Sequence, residues 1–163
     1  MKKNIWMLAA LMIMLGSCNT GNSTKTEIKE NIELADNTVS EDVPYIEAKG
    51  FFVLNTVKNE KVESLRITSQ DHFDKFFGVA RTMGKDGEPT TIDFKKSFVL
   101  ALIGQPTEKE TSFKIEKLNT QGDNLELIYS IKQEQEDRSY TIHPCQILVI
   151  DKKYEKDVRF LPQ

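Results

Sequence analysis

Two side chains whose combination could do nucleophilic chemistry lie close together in the sequence: His143 and Cys145, separated by Pro144. A cysteine is a strong nucleophile as the thiolate, and a neighbouring imidazole is a common base for removing its proton. Residues i and i+2 of a strand project from the same face, so such a pair can form here. The sequence identifies no third group that would orient the imidazole, and the other histidine, His72, is distant in the chain. We therefore predict no catalytic residues, and a thiol enzyme using Cys145 and His143 is kept as a remote alternative.

Other kinds of reactive site are not indicated by the sequence. Two histidines and two cysteines do not make a spaced set of metal ligands, so we expect no metal site. A glycine-rich phosphate loop, a Gly-x-Ser-x-Gly elbow and a His-Glu-x-x-His motif are all missing from the sequence, and we expect no cofactor. Residues 49–163 carry equal numbers of basic and acidic side chains, which argues against a nucleic-acid partner, since that requires a clustered basic face.

The most informative chemical feature of the sequence is Cys18. Two lysines at positions 2 and 3 precede an apolar run over residues 5–15, and Leu15-Gly16-Ser17-Cys18 follows. This run is shorter than the roughly 20 apolar residues that cross a bilayer, and the pattern is typical of a secretory signal peptide over residues 1–17. The four residues ending at Cys18 resemble the lipobox of bacterial lipoproteins. The resemblance implies cleavage before Cys18, diacylation of its thiol and acylation of the new amine.

The predicted lipid on Cys18 makes the membrane the first expected partner. Acyl chains contribute about 0.8 kcal/mol per buried CH₂, and several chains together give stable anchoring. The resemblance to lipoproteins also bears on location, because Asn19 stands where an aspartate would signal retention in the inner membrane. Residues 19–26 contain no acidic side chain. We therefore expect a cell-envelope protein in the outer membrane that faces the periplasm.

The mature chain divides by composition into a tether and a domain. Residues 18–48 are polar and contain seven acidic against two basic side chains, which predicts a flexible spacer after the lipidated cysteine. Residues 49–163 have the length of one domain with one core. With Cys18 lipidated, Cys145 stands alone, so the domain must rely on its core and not on a disulfide.

The pattern of apolar residues in the domain predicts mostly strands. The continuous apolar run over 98–103 indicates a central strand buried on both faces. Residues 112–118 and 125–131 predict a hairpin, followed by a polar link over 133–137. Shorter strands are expected at 50–54, 62–67, 139–142, 146–150 and 157–161, with a bend or strand start at Pro144.

One short helix is predicted near 69–77. Residues 68–71 have the composition of a capping box, and Gly78 stands where a C-terminal cap would end the helix. Phe73, Phe76 and Phe77 have the i, i+3, i+4 spacing of one helix face, which favours packing in the core over a ligand platform. The predicted fold class is α+β, mostly antiparallel β, with six to eight short strands in a sheet or small sandwich and this single helix.

Residues 93–152 resemble the C-terminal domain of the protease complex subunit PrcB family. The matching features are 92–94, 102–104, Pro106-Thr107, 113–115, and Pro144 followed by 147–152. The resemblance implies an envelope lipoprotein that assists an exported protease. The chain departs from the family at residues 107–113, where no glycine-rich turn follows Pro106-Thr107, so a contact made through that loop is in doubt.

These observations favour a non-enzymatic lipoprotein whose β-rich domain binds a protein partner, such as an exported protease or its complex. The alternative is a domain that binds a small ligand or glycan through the irregular segment 79–91 and the tyrosines Tyr45, Tyr129 or Tyr140. The same tyrosines, with Phe113, also suit a structural role in the core.

Overall fold

The computed structural model of the chain describes residues 40–81 and 87–163. Within them the chain forms ten strands, one α-helix and one 3₁₀ helix. In chain order they are β1 (Glu41–Asp42), β2 (Tyr45–Glu47), β3 (Phe51–Val53), β4 (Glu63–Ile67), α1 (Gln70–Phe73), β5 (Phe77–Val79), β6 (Ser97–Ile103), β7 (Thr107–Gln121), β8 (Asn124–Ile142), β9 (Cys145–Asp151), the 3₁₀ helix Lys152–Tyr154 and β10 (Asp157–Pro162). The predicted class, mostly antiparallel β with one short helix, is confirmed, although the strands are more numerous than the six to eight expected.

The central sheet has the strand order β2-β9-β6-β4, and all its pairings are antiparallel. Strand β6 alternates strictly, with Phe98, Leu100 and Leu102 on one face and apolar residues between them on the other. All six residues from 98 to 103 are fully or almost fully buried. The prediction of a strand covered on both faces is therefore confirmed.

The outer sheet, in the order β1-β7-β8-β10, covers one face of the central sheet. Its Leu118, Leu125 and Leu127 pack against the Phe98–Leu102 face of β6 and form the larger core. Strand β10 confirms the expected edge strand at 157–161, but it pairs with β8 in parallel. The sandwich is thus antiparallel except at this one edge.

The opposite face of the central sheet is covered by α1 and the two-stranded sheet β3-β5. Phe73 and Phe77 are buried there and Phe76 is partly buried, as expected for core residues. The predicted helix is too long, however, because it ends at Phe73 and Phe77 already begins β5. Phe77 and Gly78 pair with β3 instead of continuing the helix, because Phe and Gly are weak helix formers.

The end of that helix was also assigned to the wrong residue. Asp74 forms the C-terminal cap, whereas Gly78 lies within β5 opposite Phe52. A Cβ on Gly78 would approach Cζ of Phe52 to 2.5 Å, so the glycine leaves room for the ring. The N-terminal cap is Ser69, whose hydroxyl accepts a hydrogen bond from the His72 amide at 3.3 Å. The helix therefore starts one residue after the predicted position.

The domain begins before residue 49, which corrects the predicted boundary between tether and domain. Strand β1 pairs with β7 of the outer sheet, β2 pairs with β9 of the central sheet, and Val43 between them is buried in the larger core. The acidic composition of this segment concealed its strands, because Glu41, Asp42 and Glu47 are exposed edge residues. Residues 1–39, including the predicted signal and Cys18, lie outside the described residues.

The hairpin of β7 and β8 is much longer than predicted. The expected link over 133–137 and the expected separate strand at 139–142 are both parts of β8. We call residues 107–111 and 131–142 the arm, because residues 131–141 are exposed without interruption. The remainder of the hairpin, which contributes to the larger core, is called the hairpin body. The arm meets the sandwich at Gly104–Pro106 and at Pro144, which confirms the predicted bend.

Candidate functional site at the root of the arm

The predicted thiol–imidazole pair does not have the geometry of an activated nucleophile. Cys145 lies opposite Ile103 in the central sheet and packs against the core on the helix side. Burial raises the pKa of its thiol to about 11, so the group is protonated at neutral pH. Within the described residues, the His143 ring forms a hydrogen bond with Asn59, and none joins it to Cys145. The two residues that are adjacent in sequence therefore belong to different environments.

Asn59 connects three segments at the root of the arm. Its amide nitrogen Nδ2 donates to the carbonyl oxygens of Lys61 at 2.8 Å and Gly104 at 2.9 Å. Its oxygen Oδ1 lies 2.8 Å from Nε2 of His143. Because the two carbonyls can only accept, the amide orientation is fixed and His143 must donate through Nε2. One side chain thus holds the 58–61 turn, the end of β6 and the bend after β8 together.

The environment of His143 favours the neutral form of its imidazole. Partial burial lowers its pKa below the ordinary 6.5, the backbone carbonyl of Gly104 opposes this, and the positive charge of Lys58 adds to the lowering. A neutral ring with its proton on Nε2 suits the observed bond to Asn59. Its position supports a structural link between segments, with a cation, Lys58, close enough to influence it.

A close contact between Gly104 and Pro144 fixes the floor of the same region. The Gly104 amide donates to the Pro144 carbonyl at 2.8 Å, and both residues are buried. A Cβ on Gly104 would lie 2.7 Å from Cγ of Pro144 and 3.4 Å from the Phe113 ring. The absence of a side chain at 104 therefore lets β6, β7 and the bend before β9 meet.

Two grooves flank Pro106, which lines both. The first, of about 240 Å³, is called the uncharged groove, and its wall contains no ionisable side chain. Its lining residues are Val62, Gly104, Gln105, Pro106, Thr107, Thr111, Phe113, Ile131 and Gln133. The second, of about 380 Å³, is called the Lys58 groove. Its lining residues are Phe52, Val53, Asn55, Val57, Lys58, Pro106, Thr141, Ile142 and His143.

The arm itself is paired irregularly. Between the pairs Thr111–Gln133 and Thr107–Ile142, eight residues of β8 lie opposite three of β7, so the ladder is interrupted by bulges. Side chains hold the two strands together instead. Lys109 Nζ donates to the Gln135 carbonyl at 3.0 Å and lies 3.6 Å from Asp137 Oδ1, and Arg138 pairs with Glu110. Residues 134–141 are all exposed.

The tyrosines of the glycan alternative do not form one site. Tyr129 is buried in the larger core, Tyr45 packs partly against that core, and Tyr140 is exposed on the arm, where its ring lies beneath Arg138. Residues 88–92 line a different groove, of about 440 Å³, together with residues of β3, α1 and β5. None of the three tyrosines lines that groove. Phe113 is also a core residue, as the structural alternative expected.

Sequence reasoning missed the residues that build the arm root. Lys58 and Asn59 lie between the strands predicted at 50–54 and 62–67, and the Gly104 carbonyl that Asn59 contacts is 45 residues away. Ile131 is the last residue of the predicted strand 125–131 and lies in β8, but its side chain is 46 % exposed. A contact this distant leaves no local pattern in the sequence.

Comparisons with known proteins add no relative. No family model, curated protein or solved structure matches this chain. Over residues 40–81 and 87–163, no cluster of three or more potential metal ligands occurs. The helices of this part of the chain are also too short to cross a bilayer. The likeness to the PrcB family therefore stays a prediction from sequence.

Proposed function

We propose that this chain is a lipoprotein of the bacterial cell envelope, acylated on Cys18, whose β-rich domain binds another envelope protein through the arm. The expected location is the outer membrane, facing the periplasm, and an exported protease or its complex is the kind of partner that the PrcB resemblance implies. The proposal assigns no catalytic chemistry to the chain. The partly buried thiol of Cys145, whose pKa is raised to about 11, supports that view.

The observation that carries the proposal is the exposure of the arm. Two-stranded ribbons without an apolar face are marginal on their own, yet residues 131–141 extend beyond the core with Ile131 and Tyr140 about half exposed. Large apolar side chains on a projecting element are typical of interaction surfaces. The segments quoted for the PrcB resemblance include Gly104, Pro106 and Phe113, which meet at the root of this arm.

Lipidation is tested by detergent-phase partition and by mass spectrometry of the N-terminal peptide. We expect the mature protein to enter the detergent phase and its first peptide to carry acyl chains on Cys18. The variant Cys18→Ser should remain unacylated, while Cys145→Ser should partition like the wild type. Recovery of the wild-type protein in the aqueous phase would remove the lipoprotein assignment.

Partner binding is tested by photo-crosslinking in intact cells. A photoreactive phenylalanine analogue is placed at Tyr140 of the arm and, as a matched control, at Val79, which is exposed to the same degree on the small sheet. We expect a defined protein adduct from position 140 and none from position 79. Equal adducts from both positions, or no adduct from the arm, would contradict the proposal.

A further inference from the structure

The two grooves at the arm root are lined by fewer charged residues than the composition of the chain would lead one to expect. Charged residues make up 29 % of the chain, yet Lys58 is the one residue charged at neutral pH among the residues that line either groove. The other polar side chains there are amides, hydroxyls and the neutral imidazole of His143. No carboxylate lines either groove, so Lys58 is the one ion among the lining residues that a ligand in the grooves would meet.

Among the residues that the structure describes, Lys58 has no anionic partner. Within the described residues no carboxylate lies within ion-pair distance of its Nζ, although eight such pairs occur elsewhere in the same part of the chain. Its positive charge also disfavours protonation of His143. A carboxylate bound in the groove would supply the counter-charge that Lys58 lacks.

The walls around Lys58 are held in place before any ligand arrives. The segment 55–58, the turn at Pro106 and the segment 141–143 form the sides of the Lys58 groove. Asn59 ties these three segments together through Gly104 and His143, as described above. Binding sites with preformed walls lose less conformational entropy when a ligand binds, which favours affinity.

We propose that the arm root binds an extended acidic segment of a partner protein, with a side-chain carboxylate at Lys58 and a neighbouring apolar side chain in the uncharged groove. This inference rests on the proposed function and specifies the chemistry of the partner. An extended segment is required because the grooves lie on the two sides of Pro106, and successive side chains of a strand project in opposite directions.

The chemistry of the uncharged groove agrees with this assignment. Val62, Phe113 and Ile131 provide apolar contact for a side chain, while Gln105 and Gln133 provide amides. These amides can bond the backbone of an extended peptide without selecting its charge. The apolar groove and the cationic groove together select a segment in which an aspartate or glutamate lies close to an apolar residue.

The inference is tested with a random nonapeptide array, probed with the full-length protein purified in detergent. All peptides are amidated at the C-terminus, so that their carboxylates come from aspartate and glutamate side chains. We expect retained peptides to combine an acidic with an apolar residue. Binding should fall about tenfold in Lys58→Glu, because reversal replaces an attraction by a repulsion. Lys58→Arg should retain binding, and Lys95→Glu, a matched reversal of an exposed lysine elsewhere, should have no effect.

Each other outcome overturns the inference. Retained peptides without acidic residues, equal binding by Lys58→Glu, or no retention above the Lys58→Glu background would each do so. A second array, with free C-termini and no acidic side chains, tests whether the carboxylate at Lys58 comes from the end of a chain. Preferential binding to this array would show that a C-terminal carboxylate, and not an acidic side chain, occupies the site. Adducts from Tyr140 in cells that are unaffected by Lys58→Glu would leave the proposed function standing without this inference.

Discussion

The hairpin body and the arm are continuous along β7 and β8, yet they are held by different forces. In the body, Leu125, Leu127 and Tyr129 are fully or almost fully buried against the central sheet, and each pairs in register with β7. In the arm, residues 131–141 of β8 are exposed, and the register shifts twice between Thr107 and Thr111. Ion pairs and side-chain hydrogen bonds join the two strands there.

This difference indicates that the hairpin body stabilises the fold, while the arm is free to contact a partner. Apolar burial contributes about 25 cal/mol per Å², whereas exposed ion pairs contribute roughly 0–1 kcal/mol each. The body therefore carries the hairpin's contribution to folding. The arm can accept substitutions, or rearrange around a partner, at little cost to the fold.

The largest expected effect comes from removing a buried side chain in the body. Leu127→Ala should lower the free energy of unfolding by about 2–5 kcal/mol, because Leu127 is fully buried and its loss leaves a cavity. Urea denaturation followed by circular dichroism measures the change. The matched variant Ile131→Ala, four residues along the same strand, should lower it by less than about 1 kcal/mol, because Ile131 is half exposed. Equal losses would show that the arm is packed as firmly as the body.

The boundary between body and arm should respond to Asn59→Ala with an intermediate effect. The substitution leaves the Gly104 carbonyl and the His143 ring without their partner, and about 1–3 kcal/mol of unfolding free energy should be lost. Asn55→Ala, an exposed amide on the wall of the Lys58 groove, should change stability by less than about 0.5 kcal/mol. A neutral Asn59→Ala would show that the three segments are held together by packing alone.

The body could be predicted from sequence far better than the arm. Residues 98–103 and the alternating run from Leu125 to Ile131 fix their own strands and faces, because burial selects apolar residues at a defined period. The arm has no such period. Its polar residues 133–137 look like a loop in sequence, but they lie in β8, where Lys109 and Arg138 join the two strands.

The predictions for the helix and for the first strands failed for related reasons. The helix stops at Phe73 because β3, some twenty residues earlier, pairs with Phe77–Val79, and no local signal encodes that pairing. The first strands were hidden by acidic side chains on exposed edges, with Val43 as the one fully buried residue of that segment. The arm root depends on Asn59 reaching Gly104, which is likewise a contact between distant segments.

A smaller loss of unfolding free energy is expected when the pH is lowered and His143 at the arm root becomes protonated. The pKa of His143 is lower in the folded protein than the ordinary 6.5, so the unfolded chain binds more protons in the interval between the two values. The contribution of His143 to stability should be complete above pH 6.5 and be lost as the pH falls through the folded pKa. NMR titration gives the pKa directly, and unfolding at several pH values gives the loss, which should be smaller than that of Asn59→Ala.

The variant His143→Gln provides the control for this pH dependence. It keeps a donor toward Asn59 but cannot titrate, so the decline of stability just below pH 6.5 should be absent. The carboxyl of Glu116, whose pKa is lowered from 4.5 by hydrogen bonds from Lys114 and Ser130, contributes to acid sensitivity only at lower pH. A His143→Gln protein with an unchanged decline near pH 6 would assign the effect to another group.

The smallest change in global stability, and the most selective for the arm, is expected from Lys109→Ala. Its ammonium group holds the bulged segment of β8 through the Gln135 carbonyl and Asp137. Because the contact is exposed, its loss should change the unfolding free energy by less than about 0.5 kcal/mol. Amide hydrogen exchange in residues 134–141 should nevertheless become faster, since local opening needs no disruption of the core.

Lys132 offers a matched control on the same strand, because it is exposed and has no ion pair within the described residues. Lys132→Ala should leave exchange in 134–141 at the wild-type rate, as measured by mass spectrometry of arm peptides. If Lys109→Ala also leaves it unchanged, side-chain ties do not hold the arm. If exchange rises throughout the hairpin body as well, the arm and the body unfold together, and recognition cannot be separated from stability in the way their burial indicates.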